Sequence, residues 1–262
     1  MRRRAFTLVE LLVVVSIIAL LLALLLPSLK KARHQSKATV CLSNMRGLEL
    51  AHWVYMTEYN GWFVNAGLPH GGFIVTDNNV AWIRTLQKSY GNPLLARSPL
   101  DTSRHWGPYP SGDPIPGLPP DRRRVTSYGV NNFLTDVSQN GLNPYGPPPP
   151  GVSPANWPGG DGSAYTRLDQ IRSPSAEVHF LIMAYEGTYA GSDHPHVELW
   201  VEDPNPAKAA AKQIQTNAYG GPKESPQSLS HYGFLDGHAE RLAFHEVLQS
   251  IKVNRFDPKV AR

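Results

Sequence analysis

Histidines and carboxylates gather at two places in this 262-residue chain. Asp193-His194-Pro195-His196 sets two imidazoles at a spacing fixed by a proline, and His231, Asp236 and His238 follow further along. If the two segments converge, His194, His196, His231 and His238 supply the borderline-soft nitrogens that suit zinc or another transition metal. Turn and surface positions account for the same residues, so no metal is assigned to them. Asp161, within Gly159-Gly160-Asp161-Gly162, is a calcium-type donor without the spacing of an EF-hand loop. Trp62, Trp82, Trp106 and Trp200 could stack on sugars or anchor loops and core. The chain has no phosphate-cradling Gly-x-x-x-x-Gly-Lys, no Gly-x-Ser-x-Gly elbow, no His-Glu-x-x-His and no Gly-x-Gly-x-x-Gly. The expectation is a protein that is not an enzyme and needs no cofactor. The single cysteine, Cys41, excludes an intrachain disulfide and a multi-cysteine zinc site, and reads as a small core residue.

The most unusual carboxylate is Glu10. It lies inside Phe6–Leu26, a run of 21 residues that is otherwise apolar or small. As a helix rising about 1.5 Å per residue, such a run spans the ~30 Å core of a bilayer. A secretory signal has a shorter apolar stretch and a small-x-small cleavage site, and here Pro27-Ser28-Leu29-Lys30-Lys31 follows instead, so a retained anchor is expected. A carboxylate in such a segment costs a few kcal/mol near mid-bilayer unless it is paired. Positions 6, 7, 13 and 14, one helical turn away, hold no Lys, Arg or His, so the partner must come from another chain or from a new amino terminus.

Arg4-Ala5-Phe6-Thr7-Leu8-Val9-Glu10-Leu11-Leu12 resembles the cleavage and methylation signature of type IV pilins and type II secretion pseudopilins. The resemblance implies that a membrane prepilin peptidase and N-methyltransferase cuts after Ala5 and methylates Phe6. It implies further that Glu10, the fifth mature residue, attracts the amine of an adjoining subunit during assembly. The family usually has Gly where Ala5 stands. The same resemblance implies single-pass insertion in a bacterial inner membrane, with the leader in the cytoplasm and the C-terminal domain in the periplasm. The flanking charges alone leave the orientation open, since Arg2, Arg3 and Arg4 face Lys30, Lys31, Arg33 and Lys37. The implied partners are the peptidase, other pilin-like subunits, an inner-membrane assembly platform and membrane lipid. A second, weaker resemblance joins residues 167–244, through Arg167-Leu168-Asp169-Gln170-Ile171 and Phe234-Leu235-Asp236-Gly237-His238, to pilin-like proteins whose C-terminal domain carries His, nine residues and Asp-Gly. The histidine of that pattern would fall at 226, which is Pro226.

The elements that must carry these residues follow from pattern. Ala38, Cys41, Leu42, Met45, Leu48, His52, Tyr55 and Tyr59 recur at three- and four-residue intervals and predict an amphipathic helix that ends near Asn60-Gly61. It continues the apolar helix, with a kink expected at Pro27. The chain then divides into a cleaved leader (1–5), a membrane or filament-core helix (6–26), its amphipathic continuation (27–60) and an outer β-containing domain (61–262). Residues 92–158, dense in Pro and Gly but supplied with aromatics, read as ordered loops over a sheet. Strands are expected at 177–184, 197–201, 232–235 and 238–244, with a type I′ turn at Asp236-Gly237 and a helix from about His245 to Lys252. The fold class expected is α+β: a long N-terminal helix, membrane-spanning then amphipathic, packed on a loop-rich antiparallel sheet.

Charge is divided in the same way. Seven of the 25 basic residues and one of the 21 acidic residues precede residue 38, which leaves 18 against 20 in the remainder. A near-neutral, slightly acidic body argues against nucleic acid as a partner. Three readings remain open at this stage: a filament subunit, minor rather than major given its bulky head; a membrane-anchored envelope module that binds metal or polysaccharide; or an envelope enzyme that uses the pilin-like helix for delivery, its activity resting on His231 or His194.

Overall fold

The computed structural model describes residues 8–68, 81–91, 96–107, 110–135, 165–201 and 203–262. The apolar run and the amphipathic stripe form one helix, α1 (Leu8–Glu58, 51 residues), on the order of 75 Å long. It passes through Pro27 without interruption, although the missing proline N–H leaves the carbonyl four residues earlier without its helical partner. Asn60 ends the helix in the left-handed region at φ 54°, and the Gly61 amide reaches back 2.7 Å to the Met56 carbonyl.

The head is built on a four-stranded antiparallel sheet in the order β1 (Tyr128–Val130), β2 (Val178–Ile182), β3 (Leu229–Phe234), β4 (Ala239–Ala243). The fold class is therefore α+β, with the stem helix lying on one face of this sheet and touching β2, β3 and β4. Cys41, Met45 and Leu48 of α1 pack there with Tyr128, Val130, Phe180 and Ile182. The opposite face buries Val178, Leu181, Tyr232 and Phe234 with Phe133, Trp200 and Phe256. Each sheet face is covered, which is why β2 is buried along its whole length.

Strand β2 carries one residue more than its partner. Val178 pairs with Phe234 and Leu181 with Tyr232, so His179 and Phe180 together oppose Gly233. This β-bulge turns two successive side chains toward α1, where a regular strand would turn one. Gly233 permits the crowding: a Cβ there would lie 2.8 Å from Glu49 Oε1 and 3.2 Å from Phe180 Cβ.

The loops are tied down by a buried ion pair. Arg124 donates to Asp101 at 2.7 Å and to the carbonyls of Met183, Ala184 and Ala190, while Ser127 donates to the same carboxylate. Asp193 accepts from the amides of Gly67 and Leu68, fastening the segment after α1 to the loop after β2.

Several local expectations are corrected. Residues 197–201 are not a strand: Glu198–Val201 form a helical turn, α4, because Val197 and Trp200, three apart, both point into the core while Leu199 is exposed. The expected helix over 245–252 is one turn only, here called α6 (Phe244–Val247), its first amide capped by Glu246. Leu248–Ser250 then pairs with Val253–Asn254 as a ribbon, β5–β6. The hairpin at Asp236-Gly237 exists, but Asp236 is not at positive φ, so the turn is not type I′. It is a three-residue loop closed by Gly237 N to Phe234 O and Phe234 N to His238 O, with Gly237 at φ 99°. The proline-rich tract hides the edge strand β1, and short helices at Trp82–Thr85 (α2), Gln87–Tyr90 (α3) and Pro206–Ala210 (α5) were not expected.

Candidate functional site

The sequence forces two features of this molecule outside ordinary packing, and both lie on α1. The first is its N-terminal half. Every side chain from Leu8 to Lys37 is exposed, including Leu12, Leu20 and Leu24, so nothing in the head covers the apolar surface. This helix is long and apolar enough to cross a membrane. Glu10 stands in the first described turn of this helix. Ser16 and Ser28 each return their hydroxyl to a carbonyl of the preceding turn, at 2.8 Å, so the polar side chains of the stem hide their hydrogen-bonding groups. Ala5, Phe6 and the basic leader lie outside the described residues.

The second feature is a polar cluster between the seated half of α1 and the sheet. Glu49 and His52, one helical turn apart, meet His179 from the bulge of β2. His179 Nδ1 lies 2.8 Å from Glu49 Oε2, and the His52 and His179 rings stack with centroids 4.3 Å apart. All three residues are at most 1 % exposed. Burial pushes Glu49 well above the usual carboxylate range, an effect that the Phe180 amide partly offsets. Burial likewise pulls His179 down to about 3 and holds His52 well below an ordinary histidine, with His179 adding to the latter. Burial thus disfavours the charged form of each partner in this contact. Glu49 Oε1, His52 Nδ1 and His179 Nε2 make no hydrogen bond of full geometry.

The four histidines singled out in the sequence do not converge into a comparable group. His194 Nδ1 is held by Asp193 at 2.9 Å and His196 Nδ1 by Glu198 at 2.8 Å, with their rings edge-to-face at 5.4 Å. His231 is buried on β3 against Tyr219. Burial, then Arg241 and His34, lower it to about 4. His238 sits in the hairpin loop, bonded to Asp236 and Glu240 and stacked on Phe234. Asp161 lies outside the described residues. Among the described residues the one group of three metal-type donors within reach of each other is Glu49, His52 and His179. His52 was visible in the sequence as part of the buried stripe. Glu49 was not, and its signal would have been the Glu-x-x-His spacing on an otherwise apolar helix face.

Residues 1–26 match the family described as the Prokaryotic N-terminal methylation motif. No curated protein and no solved structure matches the chain. The match identifies a prepilin-like N-terminus and fits single-pass anchoring by α1. It fits a structural subunit. The pattern of His, nine residues and Asp-Gly has no such support.

Proposed function

We propose that the chain is a prepilin-like subunit, cut after Ala5, methylated at Phe6 and assembled through α1 into a type IV pilus-like or type II secretion pseudopilus filament. The observation that carries this reading is the combination of the methylation motif with a stem whose apolar surface the head leaves bare from Leu8 to Leu26. In the membrane, lipid covers that surface. In a filament, the same helices of neighbouring subunits cover it, so extraction exchanges one apolar contact for another at little net cost. Glu10 then supplies direction. A carboxylate in the apolar core is costly alone and is relieved by the methylated amine of an adjoining Phe6, which sets the stagger between subunits. The partners are the prepilin peptidase and N-methyltransferase, sibling subunits and the assembly platform, with the head in the periplasm before assembly. The large loop-bearing head suits a minor subunit better than one tiled along the whole filament.

The direct test is mass spectrometry of the mature N-terminus from native membrane or sheared surface material. A chain beginning at methylated Phe6 supports the proposal, and an intact Met1 overturns it. As a second expected outcome, Glu10→Val leaves membrane insertion unchanged and abolishes recovery of the protein in the sheared filament fraction. Normal assembly by that variant would remove Glu10 from the mechanism.

A further inference from the structure

Buried polar atoms in folded proteins almost always have partners, and one left without costs about 1–3 kcal/mol. Beneath α1, Glu49, His52 and His179 each leave one such atom without a partner among the described residues. One donor atom from each residue lies within 4.8 Å of the others. For three atoms at that spacing there is a point no more than about 2.8 Å from any of them, so a closure of roughly 0.7 Å or less per ligand reaches zinc–nitrogen and zinc–oxygen bond lengths. We propose that Glu49, His52 and His179 form a binding site for one first-row divalent cation, zinc foremost, which fastens the stem helix to the sheet of the head.

The donor set fits that class of ion. Two imidazoles and one carboxylate suit zinc and its neighbours, whereas magnesium and calcium take all-oxygen shells. Glu49 Oε1 makes no full hydrogen bond among the described residues, so one carboxylate oxygen is available beside the two imidazoles, and a water completes four-coordination. Two existing contacts bear on the site. The 2.8 Å contact of His179 Nδ1 with Glu49 Oε2 opens if the cation takes Nδ1, and the Val64 amide, which reaches His52 Nε2 at 3.4 Å, the outer limit of a hydrogen bond, loses its acceptor whichever ring nitrogen of His52 binds the metal. A cavity of about 360 Å³ lies nearby, and two of its lining residues, Tyr55 and Phe63, have rings 6.5 and 5.4 Å from that of His52. The site joins two elements that share few polar contacts otherwise, and its ligands come from the helix face and from the bulge. A bulge that turns His179 toward the helix has, on this view, a use beyond packing.

The test uses the full chain in detergent micelles, stripped with chelator and then given one equivalent of zinc chloride. The expected result is one zinc per chain after desalting and a raised melting temperature. In Glu49→Gln, zinc affinity falls at least ~100-fold, while His194→Asn/His196→Asn binds as wild type. Cobalt(II) added to stripped wild-type protein gives the intense visible bands of a tetrahedral nitrogen–oxygen site, a readout that does not depend on whether Glu49→Gln folds. Wild-type protein that keeps native circular dichroism yet retains no zinc overturns the proposal, as does a pale octahedral cobalt spectrum. Zinc binding unchanged in a folded Glu49→Gln overturns it equally. Because these readouts need neither processing nor assembly, their failure leaves the filament proposal standing, and the reverse holds too.

Discussion

At Gly233 the absence of a side chain is a packing requirement, because Glu49 Oε1 and Phe180 already occupy the space of a Cβ. Gly233→Ala is expected to lower stability by about 1–3 kcal/mol in denaturant unfolding. Glu49→Ala, which vacates the space, should recover part of that loss when the two are combined, so the double-mutant cycle shows coupling. His231 makes a different prediction. Its folded pKa of about 4 lies below the ordinary value of 6.5, so the unfolded chain binds a proton that the native state excludes. Its contribution is fully present above pH 6.5 and is lost, at about 1.4 kcal/mol per pH unit, as pH falls from 6.5 toward 4. Tyr219, Arg241 and His34 surround the ring and offer no carboxylate to hold the charged form. His231→Phe keeps the aromatic contact and should flatten the fall in melting temperature between pH 7 and 5 relative to wild type. Equal slopes would show that His231 is accessible to protons in the native state. His179 adds to the wild-type slope in the same direction, while Glu49, raised by burial, opposes it above pH 4.5.

The stem helix is two elements in one. Its second half reads largely correctly from sequence: of the predicted stripe, Ala38, Cys41, Met45, Leu48 and His52 are buried and Leu42 and Tyr55 half-buried, while Tyr59 lies past the helix end and is exposed. Its polar members are the exception: Asn44 and Glu49 are buried in the same face, and no hydrophobic pattern finds them. Leu48→Ala should cost about 2–5 kcal/mol, because it opens a cavity between α1 and the sheet. Leu24→Ala, on the bare half, should leave the thermal unfolding of the head unchanged and register only in membrane or filament partition. If both variants destabilise the head alike, the division of α1 into a free stem and a seated half is wrong. The sheet was legible where apolar runs and a turn coincide, as at Leu229–Phe234 and Ala239–Ala243. It was not legible at the bulge, where the alternation of β2 is broken between Val178 and Leu181, nor at Tyr128–Val130, three residues whose strand character comes only from pairing with β2. Val197–Val201 failed for the same kind of reason. Five residues rich in β-formers became a helical turn because the two largest contacts needed a spacing of three.

At the scale of the whole molecule, composition already separated a basic, apolar N-terminus from a slightly acidic body, and the structure places that division along one helix. The assembly signal was readable because short, sequential motifs carry it. The cluster of Glu49, His52 and His179 was not, since its third member arrives from 127 residues away in sequence and only through an irregular strand. The continuity of α1 has a mechanical consequence. A pull on the stem reaches the head through an unbroken rod, and the buried stripe from Ala38 to Met56 runs along the rod's own axis. Tension therefore loads that whole interface in shear, with many contacts sharing the force at once instead of peeling in turn. The head can thus be hauled out of a membrane, or held against drag at a surface, without being unzipped from the handle by which it is held.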